Sequence, residues 1–333
     1  MILRTGELES LNMGKVYTRA ILNVSATLSH DGSESLFHQM PQTNVLPSEI
    51  VLEFDGLPQT YYIFDGNIWN AEIDDAPLNN RGWVFQERVL ARRVLHFGQH
   101  QIGWECPELA ALEVFPNGLP GTNAMSLQIK STSSLMKAAA AREPIQSLDT
   151  SFLHRWHNLV NAYSKTRLTY PKDKVIAFAG IAETIMENRT DRYSAGMWEK
   201  TLLYDLAWAR YDGDRETFPI SDTSYRAPSW SWASVDGEII FPELLGGVKA
   251  VFADTLGFVD STVGTSTTLR GPNSIRVKGA CFPVNIKWLE NSNITTFDVV
   301  GFHFIANDTL SQTTIDLVWL RKGGKSGDLD ESL

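Results

Sequence analysis

Cysteine is almost missing. Cys106 and Cys281 are the only two in 333 residues. Two thiols so far apart make neither a disulfide framework nor a zinc cluster of C-x-x-C spacing, so reduced, packed thiols are expected. Cationic charge is scarce as well: 29 Lys and Arg stand against 39 Asp and Glu, a net charge of −10. That balance argues against a general binder of nucleic acid or anionic membrane, both of which need concentrated positive charge. The short basic clusters, Arg88 with Arg92 and Arg93, and Lys322 with Lys325, read as solvated faces. No apolar run is long enough to span a bilayer. The opening Met1–Glu7 has no apolar core after a basic start, so no secretory signal is read there and a cytoplasmic setting is expected.

Motifs for common chemistries are missing too. Neither G-x-x-x-x-G-K-[ST] nor G-x-G-x-x-G occurs; Gly323-Gly324-Lys325-Ser326 lacks the upstream glycine. There is no G-x-S-x-G elbow to raise a serine nucleophile. Cys106 sits between Glu105 and Pro107, where a neighbouring acid disfavours the thiolate. His154 and His157 fall at i and i+3 on a helical stretch without an acid or thiol nearby to complete a ligand set, so a surface or packing role is preferred. His96 and His100 flank a turn and could pair with Glu87 or Glu105 for acid–base work, but such pairs arise by chance in any chain of this size. No metal and no cofactor is expected.

What is abundant is aromatic bulk. Ten Trp and sixteen Phe can bury a large apolar area, which implies a packed interior. Along the chain, Glu7–Ala20 reads as a helix and Ala20–Leu28 as a strand. Proline-punctuated β-prone runs at Ile50–Phe54 and Thr60–Phe64 suggest hairpins or edge strands. Arg81–Arg92 reads as a helix that Asn79 or Asn80 could cap, followed by a hairpin from Val94–Phe97 and Gln101–Glu105. Pro116–Ser134 reads as a long loop. Phe152, Trp156, Leu159, Val160 and Tyr163 repeat at three and four, giving a helix over 151–167. Further helices are expected over 173–187, capped by Asp173, and over 196–211. From about Tyr225 the period becomes two: Trp230 and Trp232 alternate with serines. Strands are expected at Gly247–Phe252, Ser274–Val284, Thr296–Ile305 and Thr313–Leu320. The paired tryptophans are expected to plug a seam between sheet and helices.

Three segments together resemble fungal heterokaryon-incompatibility (HET) domain proteins. The first is Glu9-Ser10-Leu11-Asn12-Met13-Gly14-Lys15-Val16-Tyr17 with the small-residue strand after it. The second is Arg81-Gly82-Trp83-Val84-Phe85-Gln86-Glu87-Arg88-Val89-Leu90, continuing to Leu95-His96-Phe97 and Trp104-Glu105-Cys106. The third joins Tyr170-Pro171-Lys172-Asp173-Lys174 to Ala227-Pro228-Ser229-Trp230-Ser231-Trp232. The tryptophan-glycine and W-I-D-x-x-C segments that open the family's HET domain do not occur here. The resemblance therefore implies an α+β chain: the C-terminal remnant of an α/β, TIR-like HET domain (1–40), a mixed region with the central helices (41–222), and a β-rich unit (223–333).

The same resemblance implies self/non-self recognition and programmed cell death when unlike hyphae fuse. It carries over no catalytic residue. Glu9, Met13 and Tyr17 are expected to form the HET-domain helix. Arg81, Trp83, Gln86, Glu87 and Arg88 are expected to form a buried block beside it, with Glu87 ion-paired to Arg81, Arg88 or Arg93. A protein partner is expected, with no nucleic acid or membrane. The leading reading is non-catalytic. Two alternatives stand beside it: an NAD-consuming hydrolase of TIR type with Glu9 or Glu87 orienting the ribose, and a non-enzymatic scaffold.

Overall fold

The computed structural model describes residues 5–37, 46–120, 150–187, 189, 191–211, 226–241, 253–259, 274–279, 300–303 and 316–319. Helices and small sheets are mixed along the chain, an α+β fold. It divides into two units. The first comprises 1–159, 166–170 and 176–189; the second comprises 160–165, 171–175 and 190–333.

The first unit opens with α1 (Thr5–Arg19) and β1 (Asn23–Ser25). Next comes a hairpin of β2 (Ser48–Phe54) and β3 (Leu57–Ile63). A π-turn over Asn70–Asp74 follows, then a 3-10 turn over Pro77–Asn80 and α2 (Gly82–Leu90). Three strands, β4 (Val94–Phe97), β5 (Ile102–Glu105) and β6 (Ala110–Leu112), complete a sheet of order β1-β4-β5-β6. β1 runs parallel to β4, with Val24 opposite Leu95; the remaining pairs are antiparallel. β1 is an outer strand, and Val16, Ile21, Leu22 and Val24 around it are exposed.

The strand expected over Ala20–Leu28 is thus only three residues long, because Ala26–Ser29 turns out of the ladder with Ser29 N–H donating to the Ala26 carbonyl at 2.9 Å. α2 has no side-chain cap. Asn79 and Asn80 instead donate to the carbonyls of Ile73 and Asp75, which leaves Arg81 at the cap position.

α3 (Thr150–Ser164) and α4 (Ile176–Met186) bring in the aromatic core. Trp156 lies 5.3 Å from Phe178 between ring centroids, and Phe178 lies 6.4 Å from Phe85 on α2. Asp173 does not cap α4; it ends a separate 3-10 turn over Pro171–Asp173. α1 crosses α4 closely: a Cβ placed on Gly14 would stand 3.5 Å from the Gly180 Cα. Gly180 in turn donates its N–H to Gln86 Oε1 at 3.0 Å, a hydrogen bond between α4 and α2 that leaves no room for a Cβ at 180.

In the second unit the helix expected over 196–211 is replaced by several short elements. β7 (Tyr193–Ser194) and β8 (Met197–Trp198) form a tight hairpin. A 3-10 turn over Glu199–Thr201, the single turn α5 (Leu202–Asp205) and β9 (Ala209–Arg210) follow. The buried carboxylate of Asp205 explains the early stop: it accepts from the Trp198 N–H at 3.1 Å and the Thr201 hydroxyl at 2.9 Å, tying the turn back on itself. Trp230 and Trp232 are buried, but on a turn and a 3-10 segment (Trp232–Ser234) rather than on a strand. The Ser231 side chain accepts from the Ala233 N–H and fixes that bend. β10 (Ile239–Ile240) pairs with β9, β11 (Ala253–Val259) with β12 (Ser274–Gly279), and β13 (Val300–His303) with β14 (Asp316–Trp319), all antiparallel. The strand expected at Gly247–Phe252 and the thiol of Cys281 lie outside the described residues, as does the loop from 121 onward.

Candidate functional site

The densest polar chemistry in the first unit is a chain of side chains running from the π-turn through α2 and the sheet. Arg88 on α2 donates from Nε to Glu105 Oε2 at 2.8 Å and from one terminal nitrogen to Glu105 Oε1 at 3.0 Å. The same terminal nitrogen reaches Asp74 Oδ1 at 2.6 Å. Glu105 closes β5, and its Oε2 also lies 3.0 Å from His96 Nε2 on the neighbouring strand β4. His96 Nδ1 lies 3.0 Å from the Thr27 hydroxyl, which is 3.0 Å from the Ser25 hydroxyl. Thr27, His96 and Glu105 are all 0% exposed.

Local structure explains why these groups meet. Antiparallel pairing of β4 with β5 sets His96 against Gly103 and Val94 against Glu105, so alternation puts His96 and Glu105 on one face. At Gly103 a Cβ would come 2.9 Å from Ile73 Cδ1, so a side chain there would require Ile73 to shift. The π-turn closes through Asp75 N–H donating to the Asn70 carbonyl at 2.8 Å. That extra residue in the turn aims two carboxylates from one short segment: Asp74 to Arg88, and Glu72 to His100. Glu72 is buried, with Oε1 2.8 Å from His100 Nδ1 and Oε2 accepting the His100 backbone N–H at 2.9 Å.

The neighbouring carboxylates keep the Arg88 guanidinium charged. Burial alone would push the Arg88 guanidinium down, but Glu105 and then Asp74 outweigh it and hold it above its ordinary value. A neutral His96 carrying its proton on Nε2 satisfies both of its contacts, donating to Glu105 and accepting from the Thr27 hydroxyl at Nδ1. Hydroxyl, imidazole and carboxylate in series are the components of acid–base catalysis. Here Thr27, His96 and Glu105 are fully buried and engaged with one another.

The expected ion pair of Glu87 takes a different form. Arg88 belongs to Glu105 and Asp74, and Arg93 is exposed. Glu87 instead accepts a hydrogen bond from the Tyr17 hydroxyl, which links α1 to α2. Burial raises the Glu87 carboxyl above its ordinary range, while the Tyr17 hydrogen bond and the charge of Arg81 pull the other way. Tyr17 is raised as well, by burial first and by Glu87 second. Met13 and Trp83 are half-buried, Gln86 is fully buried, and Glu9 lies on α1, where only the backbone is described. His100 pairs with Glu72 rather than Glu87 or Glu105. His154 is exposed and His157 buried, so the two do not share a ligand face. Among the described residues no group of three or more His, Cys, Asp and Glu is placed to hold a metal ion.

The second unit has its own buried charge. Lys174 is almost wholly buried; Nζ donates to the Val235 carbonyl at 2.5 Å and sits 5.6 Å from the centre of the Trp232 ring. Burial pushes its ammonium down to about 7; Asp236 opposes this, while Arg226 and Arg210 add to it. Asp236 is already held by Arg226 at 2.7 Å. Trp232 is seated by its Nε1 donating to the Gly196 carbonyl at 2.8 Å, and Ser231 by its hydroxyl donating to the Ala195 carbonyl at 2.5 Å.

Asp74, Thr27 and Glu72 were not singled out in the sequence, and Lys174 entered only as the last residue of the Tyr170–Lys174 segment. The first three carried no periodic signal; Lys174 stood directly before the apolar run Val175-Ile176-Ala177-Phe178, which was a signal of burial.

Residues 6–87 match the family model for heterokaryon incompatibility protein (HET). This stretch is similar to the sequences of that family. It takes in α1, β1, the β2–β3 hairpin, the π-turn and most of α2, so Thr27 and Asp74 lie inside it while His96 and Glu105 lie beyond it. No curated protein and no solved structure matches the chain. Among the described residues no helix is long and apolar enough to cross a membrane.

Proposed function

We propose that this is a non-catalytic, cytoplasmic HET-type recognition protein of fungal self/non-self discrimination, acting in the cell-death response that follows fusion of unlike hyphae. The observation that carries the reading is the HET match over residues 6–87. The series Thr27–His96–Glu105–Arg88–Asp74 supports the non-catalytic part, because its groups are engaged with one another and all but the half-buried Asp74 are buried. The parallel pairing of β1 with β4 supports an α/β, TIR-like architecture for the N-terminal part.

Expression of the full chain in a filamentous fungus tests the biological half. Growth arrest and death of fusion cells formed with an unlike strain, absent from self-fusions, are expected; equal survival of both would overturn the reading. Incubating the purified protein with NAD tests the chemical half. Nicotinamide release no greater than that of a Glu87→Ala control is expected, whereas release above it would put the TIR-type hydrolase first.

A further inference from the structure

The β2–β3 hairpin is a two-stranded ribbon with no third strand among the described residues. Every residue of β3 is exposed, with Leu57 at 66% and Tyr62 at 64%. Val51 and Leu52 of β2 and Leu46 just before it are exposed too. The ribbon is well made in itself. Asp55 and Gly56 both have positive φ, at 50° and 76°, the two-residue turn whose twist matches a hairpin. Phe64, directly after β3, is anchored edge-on against Phe115 at 4.9 Å. A lone pair of strands is nonetheless only marginally stable in water, and one with this much exposed apolar surface is shaped for an occupant.

Register and charge say what fits. One face carries Ile50 and Leu52 of β2 opposite Tyr61 and Gln59; the other carries Glu49, Val51 and Glu53 opposite Tyr62, Thr60 and Pro58. Across a two-residue turn Phe54 and Leu57 form a hydrogen-bonded pair, so the backbone N–H and C=O of Glu49, Val51 and Glu53 point away from β3. The corresponding outer edge of β3 is blunted at Pro58, which has no N–H to offer. Among the described residues the open edge is therefore that of β2. The surrounding sequence is acidic throughout: from Ala20 to Asn80 there are nine Asp and Glu and not one Lys or Arg.

We propose that β2 is a docking edge for an extended segment of a partner protein in which apolar and basic residues alternate. Added beside β2, such a segment continues both faces: its apolar side chains lie next to Ile50 and Leu52, and its Lys or Arg side chains next to Glu49 and Glu53. The proposal takes from the recognition reading only that the partner is a protein, and the nicotinamide assay is blind to it, so the two fail separately.

A fluorescent peptide alternating lysine with valine, titrated into the full chain and followed by anisotropy, tests this. Saturable binding is expected, with none by a peptide alternating glutamate with valine. The double substitution Glu49→Lys, Glu53→Lys lies on exposed positions and is expected to weaken binding by about tenfold. Val51→Pro removes an outward-facing donor while sparing the β2–β3 ladder, and is expected to abolish binding with little change in the urea midpoint. Any of three results overturns the proposal: no binding, equal binding of both peptides, or binding that Val51→Pro leaves intact. So does a dimer formed without peptide that Val51→Pro dissolves, since a second copy of this chain would then be the occupant.

Discussion

The two units bury cationic side chains by opposite routes. In the first, Arg88 keeps its charge and is surrounded by acid: Glu105 in a two-pronged contact, Asp74 on the other side. In the second, Lys174 has one carbonyl, an aromatic face and two nearby arginines that outnumber the single carboxylate of Asp236, and its ammonium is pushed down to about 7. Desolvation disfavours charge equally in both places. What differs is the supply of compensating acid and the chemistry of the cation, since a guanidinium does not give up its proton in a protein and an ammonium can. A residue that must remain charged requires partners; one that can discharge requires only an acceptor.

Breaking the paired side has the largest expected effect. Arg88→Met leaves Glu105 and Asp74 buried without their cation, and a loss of ~3–5 kcal/mol in urea unfolding is expected. The discharging side is sharpened by pH. Because the folded-state value of Lys174 lies below its unfolded value of about 10.5, the unfolded chain binds the extra proton between the two. Stability is therefore expected to rise as pH increases from about 7 to about 10.5, by ~2–4 kcal/mol, and to lie at its lower level below that window. Lys174→Met is expected to flatten this slope in thermal melts across the range.

Gly196→Ala disturbs the seat of the ring over Lys174. Its φ is +90°, and a Cβ would fall 2.5 Å from Trp232 Nε1. A loss of ~2 kcal/mol is expected in the same melts. Tyr17→Phe is the mildest case, a half-buried carboxyl with a neutral partner. Glu87 is raised in the folded state, so its contribution is favourable at acid pH and is lost as pH rises through its folded value. Removing the phenol, which favours the carboxylate, is expected to cost ~1 kcal/mol at neutral pH and less below the ordinary carboxylate range.

The sequence disclosed those parts of the fold that repeat. α3 was legible because its apolar residues recur at three and four, and β4 with β5 because a short turn separates two apolar runs. The stretch from Gly196 to Tyr211 misled because Trp198, Leu202, Leu206 and Trp208 share helical spacing, although Trp198 is buried from β8, Leu202 and Leu206 from the single turn α5 and its cap, and Trp208 from the connection after it. There Asp205 ends the turn through its own hydrogen bonds, which spacing does not reveal. Within the Arg-Gly-Trp block Gln86 and Arg88 are buried while Arg81 is exposed, and the block gave no sign of the partners of Arg88. Asp74 reaches it only because a π-turn adds a residue, and Glu105 only because of strand register. Long-range polar contacts depend on geometry that a run of letters does not carry.

The buried network of the first unit is tested most directly by a double-mutant cycle between Arg88 and Glu105. Urea unfolding of Arg88→Met, Glu105→Leu and the pair together gives the coupling between the two side chains. The double variant is expected to be more stable than the sum of the single losses allows, by at least ~1 kcal/mol, because it removes both charges at once. Additive losses, with no coupling, would contradict the assignment of these residues as one charged unit inside the fold.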